Sequence, residues 1–437
     1  MKPQKLPKPR STPRPIPSPS AHSAGLYQKT VLPEGIRVVS EEIPHVRSVS
    51  IGVWVDTGSR DEAPSESGIS HFIEHMVFKG TKTRSVRKIA QSIESVGGYL
   101  NAFTGKEHTC FYARVLDDHA ELAVDVLSDM LRHPTFPEKE LEKEKEVVIE
   151  ELKNAEDDPD DIIHDYLEKS LFGEHPLGNA VIGKQEDLRS FKRADLYRYL
   201  GSHYQSSRIV VAAAGRLGHR QLVDLVGRYW GEDREPSAGL PGERVKPKAA
   251  EGETRDLERP IQQSHVCLGT IAVGARSNRR YPMLLLNALL GDGMSSRLFQ
   301  NIREKYGFAY SVYSFVNMLS DTGTFGAYIG TDKTHVEKCV ELIWKELLRL
   351  RTRSIPRAEV ERTKQQLKGS MMLSLESIPS RMMRLGSSEL YYGSLTSLED
   401  IIRKIDAVTE DDLLALANDI VDEKKYSMIV FRPDGRN

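Results

Sequence analysis

Residues 231–260, GEDREPSAGLPGERVKPKAAEGETRDLERP, are charged and rich in Pro and Gly, and they separate two stretches that carry similar patterns in a similar order. A segment of that composition reads as a linker. The 437 residues therefore divide into a first domain, 26–230, and a second, 261–437. In the first, residues 48–55 are apolar and β-branched, as a central strand requires, and residues 264–273 repeat that pattern in the second. The closest internal match sets FPEKELEKEKEVVIEEL (136–152) against IPRAEVERTKQQLKGSM (355–371), with Glu144 opposite Thr363 and Glu151 opposite Ser370. The expected fold class is α+β: two homologous halves, each an antiparallel-rich sheet packed with helices.

Within the first half stands His71-Phe72-Ile73-Glu74-His75. At 3.6 residues per turn, histidines four apart lie about 40° from each other around a helix, so both imidazoles can reach one ion. Glu74 lies about 60° to the other side of His71. There it can touch a metal-bound water without ligating the metal. Two imidazoles and a free carboxylate on one face are the minimum kit for metal-assisted hydrolysis, and H-x-x-E-H is the inverse of the common H-E-x-x-H order. The same five residues also suit a helix that merely carries two histidines, so the surrounding sequence decides. PMLLLNALL stands in the second half where HFIEH stands in the first, so only one copy keeps the ligand set.

Composition excludes several classes. With 39% apolar and 28% charged residues and a net charge of −2, nothing draws the chain toward nucleic acid or an anionic membrane. No apolar run approaches the roughly 18 residues that span a bilayer. Cys110, Cys267 and Cys339 are far apart and form no Cys-x-x-Cys pair, which argues against a disulfide framework or a thiolate metal site. Residues 1–25 are basic, Pro-rich and free of acids and lack an apolar core, which reads as a disordered tail rather than a secretory signal.

Taken in order, SGISHFIEHMVFKGT, the hairpin GGYLNAFTGKEHT, the helix EKEVVIEEL, the loop HPLG and GMSSRLFQNIREKYGFAYSVYS make the chain, over roughly 27–434, resemble the pitrilysin/insulinase family of zinc peptidases. It is most similar to the short bacterial members related to the mitochondrial processing peptidase. The resemblance implies one zinc ion per chain, held by His71, His75 and Glu151, the last standing 76 residues beyond the second histidine. It implies Glu74 as general base and Glu144, seven residues before Glu151, as a hydrogen-bonding support to the ligands. Asn101, Ala102 and Phe103 match the family strand that pairs with substrate backbone. Arg303 and Tyr310 match an Arg and a Tyr directed at the scissile carbonyl.

The implied partners are a peptide substrate and a second subunit, because the long members supply that Arg and Tyr from the second half of a chain about twice this length. A homodimer closing like a clamshell is expected, with a heterodimer as the alternative. A catalytically silent peptide-binding or assembly subunit is the rival reading, and the complete set His71, Glu74, His75 and Glu151 speaks against it. The default compartment is a bacterial cytoplasm; the mitochondrial matrix and the periplasm are the alternatives.

Overall fold

The computed structural model describes residues 27–230, 243–248 and 251–435. The tail read at 1–25, and residues 231–242 and 249–250 of the expected linker, lie outside the described residues. The first half runs β1 (Tyr27–Val31), β2 (Arg37–Glu42), β3 (Ser48–Val55), α1 (Ile69–Val77), α2 (Val86–Glu94), β4 (Tyr99–Thr104) and β5 (Thr109–Leu116). It continues through α3 (Ala120–Arg132), α4 (Glu138–Asp157), α5 (Pro159–Phe172), α6 (Gln185–Ser190), α7 (Arg193–His203), β6 (Ile209–Gly215) and α8 (His219–Trp230). The second half runs β7 (Thr254–Arg259), β8 (Ser264–Ala272), α9 (Arg280–Gly291), β9 (Ala309–Met318), β10 (Gly323–Thr331) and α10 (Val336–Thr352), then α11 (Arg357–Ser374), α12 (Ile378–Tyr392), α13 (Leu398–Asp406), α14 (Glu410–Ile420) and β11 (Ser427–Pro433).

The duplication is visible in the strand orders. The first sheet is β1-β2-β6-β3-β5-β4 and the second is β7-β11-β8-β10-β9. Without β1 the two orders correspond one to one, down to the single parallel pair in each, β2 with β6 and β11 with β7. The two-half α+β expectation is met. Strand β7 falls inside the stretch expected to be linker. Its sequence, TRDLER, alternates between exposed and half-buried positions at a sheet edge, so it carries no apolar run to betray it.

The acidic helix α4 ends at Asp157 and α5 follows after Asp158, because Pro159 has no N–H to donate and takes the first position of α5. Helices α6 and α7 follow one another closely and part at Phe191.

The halves exchange helices. Helix α5 of the first half buries Ile162, Ile163, Leu167 and Leu171 against Cys267, Tyr328, Ile429 and Phe431 of the second sheet. Helix α12 of the second half returns Met382 and Leu385 to Trp54, Val210 and Ala212 of the first. Gly386 makes that approach possible: a Cβ there would come within 2.1 Å of the Trp54 Nε1. At about 1.5–3 kcal/mol for each fully buried large side chain, this exchange fastens the two halves together. The three cysteines are free and buried. Among the described residues no helix is long and apolar enough to cross a membrane.

Candidate metal centre and active site

Helix α1 is fixed by its apolar face. Ile69, Phe72, Ile73, Met76 and Val77 are fully buried, at the spacing of a core-facing helix. That leaves His71, Glu74 and His75 half-buried on the remaining face. Helix α4 packs beside it, anchored by Leu141, Val148 and Ile149, and turns Glu144 and Glu151 toward the histidines.

The donors converge. One nitrogen each from His71 and His75 and one carboxylate oxygen of Glu151 all lie within 4.8 Å of one another, and no other group of three or more such residues does so among the described residues. The Glu151 carboxylate stands 3.4 Å from His75 Nε2 and 4.0 Å from His71 Nε2. These separations exceed ordinary hydrogen bonds, so the donors face a common point without satisfying each other. On the far side of its ring, His75 Nδ1 donates to Glu144 at 2.9 Å, and Lys79 Nζ holds the other oxygen of that carboxylate at 2.7 Å. This second hydrogen bond turns Nε2 of His75 toward the donor group. Two imidazoles and a carboxylate, with the second ring position of one imidazole occupied by an acid, form a set that fits a zinc ion and leaves a position open.

The electrostatics separate the roles. Burial, helped by the charge of His75, drives the His71 imidazole down to about 4, so this ring is neutral. Burial also opposes a charge on His75, but the Glu144 hydrogen bond and the fields of Glu151, Glu144 and Glu74 outweigh it and its pKa rises. Glu144 moves the opposite way: burial resists its charge, and the bonds from His75 and Lys79 hold it below the usual carboxylate range. Burial lifts Glu74, the charge of Glu151 adds to this, and the Thr104 hydrogen bond and His75 oppose it. A carboxyl raised toward neutrality is suited to taking up a proton.

Thr104 Oγ1 donates to Glu74 Oε2 at 2.6 Å, which ties the helix to the end of β4. Strand β4 is the last of its sheet and has β5 on one side only. The amide of Ala102 donates to the side chain of its own neighbour Asn101, at 2.9 Å, rather than to β5. By the two-residue period, Leu100, Ala102 and Thr104 turn their backbone groups to the open edge, and Asn101 and Phe103 turn theirs to β5. The Phe103 ring packs on Trp54 and His108, on the sheet face away from α1.

Arg303 and Tyr310 meet each other, the guanidinium lying 5.5 Å from the tyrosine ring centroid, and Tyr310 is 83% exposed. Among the described residues no hydrogen bond, ion pair or ring contact joins either of them to His71, His75 or Glu151.

Sequence reasoning missed Glu62. Its two carboxylate oxygens accept from Gly68 N at 2.8 Å and Ser70 N at 2.9 Å, capping α1 from outside the helix. Burial pushes its carboxyl up to about 8 against the pull of those bonds. The signal was present: α1 begins at a glycine, which has no side chain to cap it. Gly68 takes φ +91°, and a Cβ there would come within 2.5 Å of the Ile182 carbonyl, so no capping side chain can stand in its place.

The chain also matches known families, relatives and a solved fold. The family model described as insulinase (peptidase family M16) matches residues 37–185, and that described as the peptidase M16 inactive domain matches 190–367. An uncharacterized zinc protease of Bacillus subtilis, YmxG, is 45% identical over 92% of this chain and 97% of its own. A similarly described protein of Streptomyces coelicolor is 39% identical over 94% of this chain and 90% of its own. The crystal structure of a protease from Helicobacter pylori superposes with a TM-score of 0.88 at 20% identity, over 94% of this chain and all of that one.

Proposed function

The chain belongs to the insulinase (M16) peptidase family, and on that premise we propose that it is a zinc-dependent endopeptidase that cleaves short or unfolded peptides. The convergence of His71, His75 and Glu151 beside Glu74 carries the reading. One zinc ion per chain would be held by those three residues. When bound, zinc supplies Lewis acidity that brings the pKa of water from 15.7 toward about 7. Glu74 takes the proton from the attacking water and delivers it to the leaving amine. Thr104 ties the Glu74 carboxylate to β4, one edge of which is open. Substrate backbone would add to that edge as an extra strand, which holds any extended peptide and reads little sequence. Asn101 would release the Ala102 amide for this pairing.

Side-chain preference has a local source. A 220 Å3 pocket lies between α2 and β4, walled by Phe78, Val86, Ile89, Ala90 and Leu100 with Glu94 at its polar side. It adjoins the C-terminal end of α1 and would take one large apolar substrate side chain. Filling it with Ala90→Phe is expected to lower kcat/KM for peptides carrying a leucine or phenylalanine beside the scissile bond by about tenfold or more. Peptides with alanine there should be cleaved as before. Competition between the two peptides in one reaction reads the ratio directly.

Glu144 fixes the tautomer of His75, so Glu144→Ala should weaken zinc binding by about 10–100-fold at neutral pH. The raised pKa of His75 adds a sign: its proton competes with the metal, so affinity in the wild type falls as pH drops through the imidazole range. Titration against a chromophoric chelator at several pH values checks both.

Arg303 and Tyr310 would act on the site of a second copy, in a homodimer that closes around the peptide. A closed chamber excludes folded proteins. The test is an incubation of the chain with unstructured peptides and with a stably folded protein; cleavage of the peptides alone is expected, and equal cleavage of both would overturn the chamber. A strictly monomeric chain with full activity would overturn the dimer.

A further inference from the structure

We infer that Glu62 is a positioning residue for the metal centre, and that the second half of the chain holds it in place through Arg60 and Glu107. The inference rests on the reading of His71, His75 and Glu151 as metal ligands.

The chain of contacts is continuous. Glu62 is 8% exposed and binds the backbone amides of Gly68 and Ser70, the latter directly preceding His71. Ser70 is held a second time, its hydroxyl 2.8 Å from the Tyr199 phenol, which in turn lies 3.1 Å from Thr57 Oγ1. The turn that presents Glu62 is itself clamped. Ser59 and Arg60 donate their amides to the carbonyls of Gly105 and Lys106, in the same hairpin turn that follows Thr104. Asp61 accepts from Nε and Nη2 of Arg244 at 2.9 and 2.7 Å. The loop that caps the metal helix and the strand end that holds Glu74 are therefore one assembly.

That assembly is fastened to the other half. The Arg60 guanidinium, 4% exposed, donates to Glu107 at 2.6 Å and to both oxygens of Asp321 at 2.7 and 2.9 Å. Glu107, 1% exposed, also accepts the backbone amide and the hydroxyl of Ser320, each at 2.7 Å. Ser320 and Asp321 form the turn between β9 and β10 of the second sheet. Burying an arginine and two glutamates is costly unless they are bonded. Both terminal nitrogens of Arg60 are bonded while its buried Nε has no partner among the described residues, so the network is read as fixing geometry rather than as adding stability. Here the geometry specified is that of the turn before His71. A site holds its ligands only if the supporting shell restrains them to a fraction of an ångström.

The experiment compares Glu62→Gln, Asp321→Asn and Ile343→Ala, the last a core substitution of the second half remote from the network. Zinc affinity is read by chelator competition, the visible spectrum is recorded on cobalt-loaded protein, and Tm is measured for each. Glu62→Gln is expected to weaken zinc by about tenfold and to alter the cobalt bands. Asp321→Asn should move both in the same direction by a smaller factor, although it touches nothing on α1. Ile343→Ala should lower Tm and leave both unchanged. A folded Glu62→Gln with wild-type zinc affinity and cobalt spectrum overturns the inference, and an unchanged Asp321→Asn overturns the part assigned to the second half. If Glu62→Gln does not fold, Asp321→Asn decides by the same two readouts. A wild-type chain that binds no zinc overturns the metal reading itself, and is recognised without any variant.

Discussion

Glu74→Gln is expected to lower kcat/KM for peptide cleavage by about 10²–10⁴-fold while the metal stays bound. The argument is geometric. Glu74 lies outside the group of three converging donors, so the ion loses no ligand. Glutamine has the same shape and keeps an oxygen to accept the Thr104 hydroxyl, which in the wild type lies 2.6 Å from Glu74. Only the ability to take a proton is removed. The wild-type carboxyl is raised by burial, so the acidic limb of its pH profile should sit above the usual range of a free glutamate. Metal content and kcat/KM measured on the same preparation separate the outcomes. A variant that keeps its zinc and cleaves near the wild-type rate would remove Glu74 from the mechanism.

Glu151→Ala should act the other way, through the metal. Glu151 supplies the one carboxylate among the three donors, and its loss should exceed the 10–100-fold typical of removing a supporting hydrogen bond to a ligand. Its side chain is 48% exposed, so the fold should be nearly indifferent, within about 0.5 kcal/mol. Metal loss can then be distinguished from unfolding by a melting curve. The neighbouring Glu150 is the control. It projects about 100° around the helix from Glu151. Its carboxylate pairs with Lys153 at 3.3 Å on the exposed face. Glu150→Ala should bind zinc and cleave peptides as the wild type does; if it failed and Glu151→Ala did not, the register of α4 on the site would be wrong.

What the sequence revealed and what it hid follow from the range of the interactions involved. Helix α1 and strand β3 were legible because their signals are local: two histidines four apart in one, an apolar, β-branched run in the other. The pairing of His71, Glu74 and His75 was legible for the same reason. Glu151 was reached through family resemblance, since no periodicity links it to a helix 76 residues earlier. The exchange of α5 and α12 was hidden. Both have ordinary apolar faces, and nothing in Ile162, Ile163 or Leu167 says which of two similar sheets they will cover. Strand β7 was hidden because an edge strand exposed on alternate positions looks like a charged linker. The network from Asp321 through Arg60 to Glu62 was hidden most completely. It joins residues 261 positions apart through side chains that, in sequence, read as ordinary surface charges.

The most direct test of the central claim is the zinc content of the purified chain, measured together with cleavage of unstructured peptides before and after chelation. The expected result is one zinc per chain and cleavage that stops with the chelator and returns when zinc is added back. A chain that holds no zinc and cleaves nothing, or one that cleaves equally well with the chelator present, would contradict it.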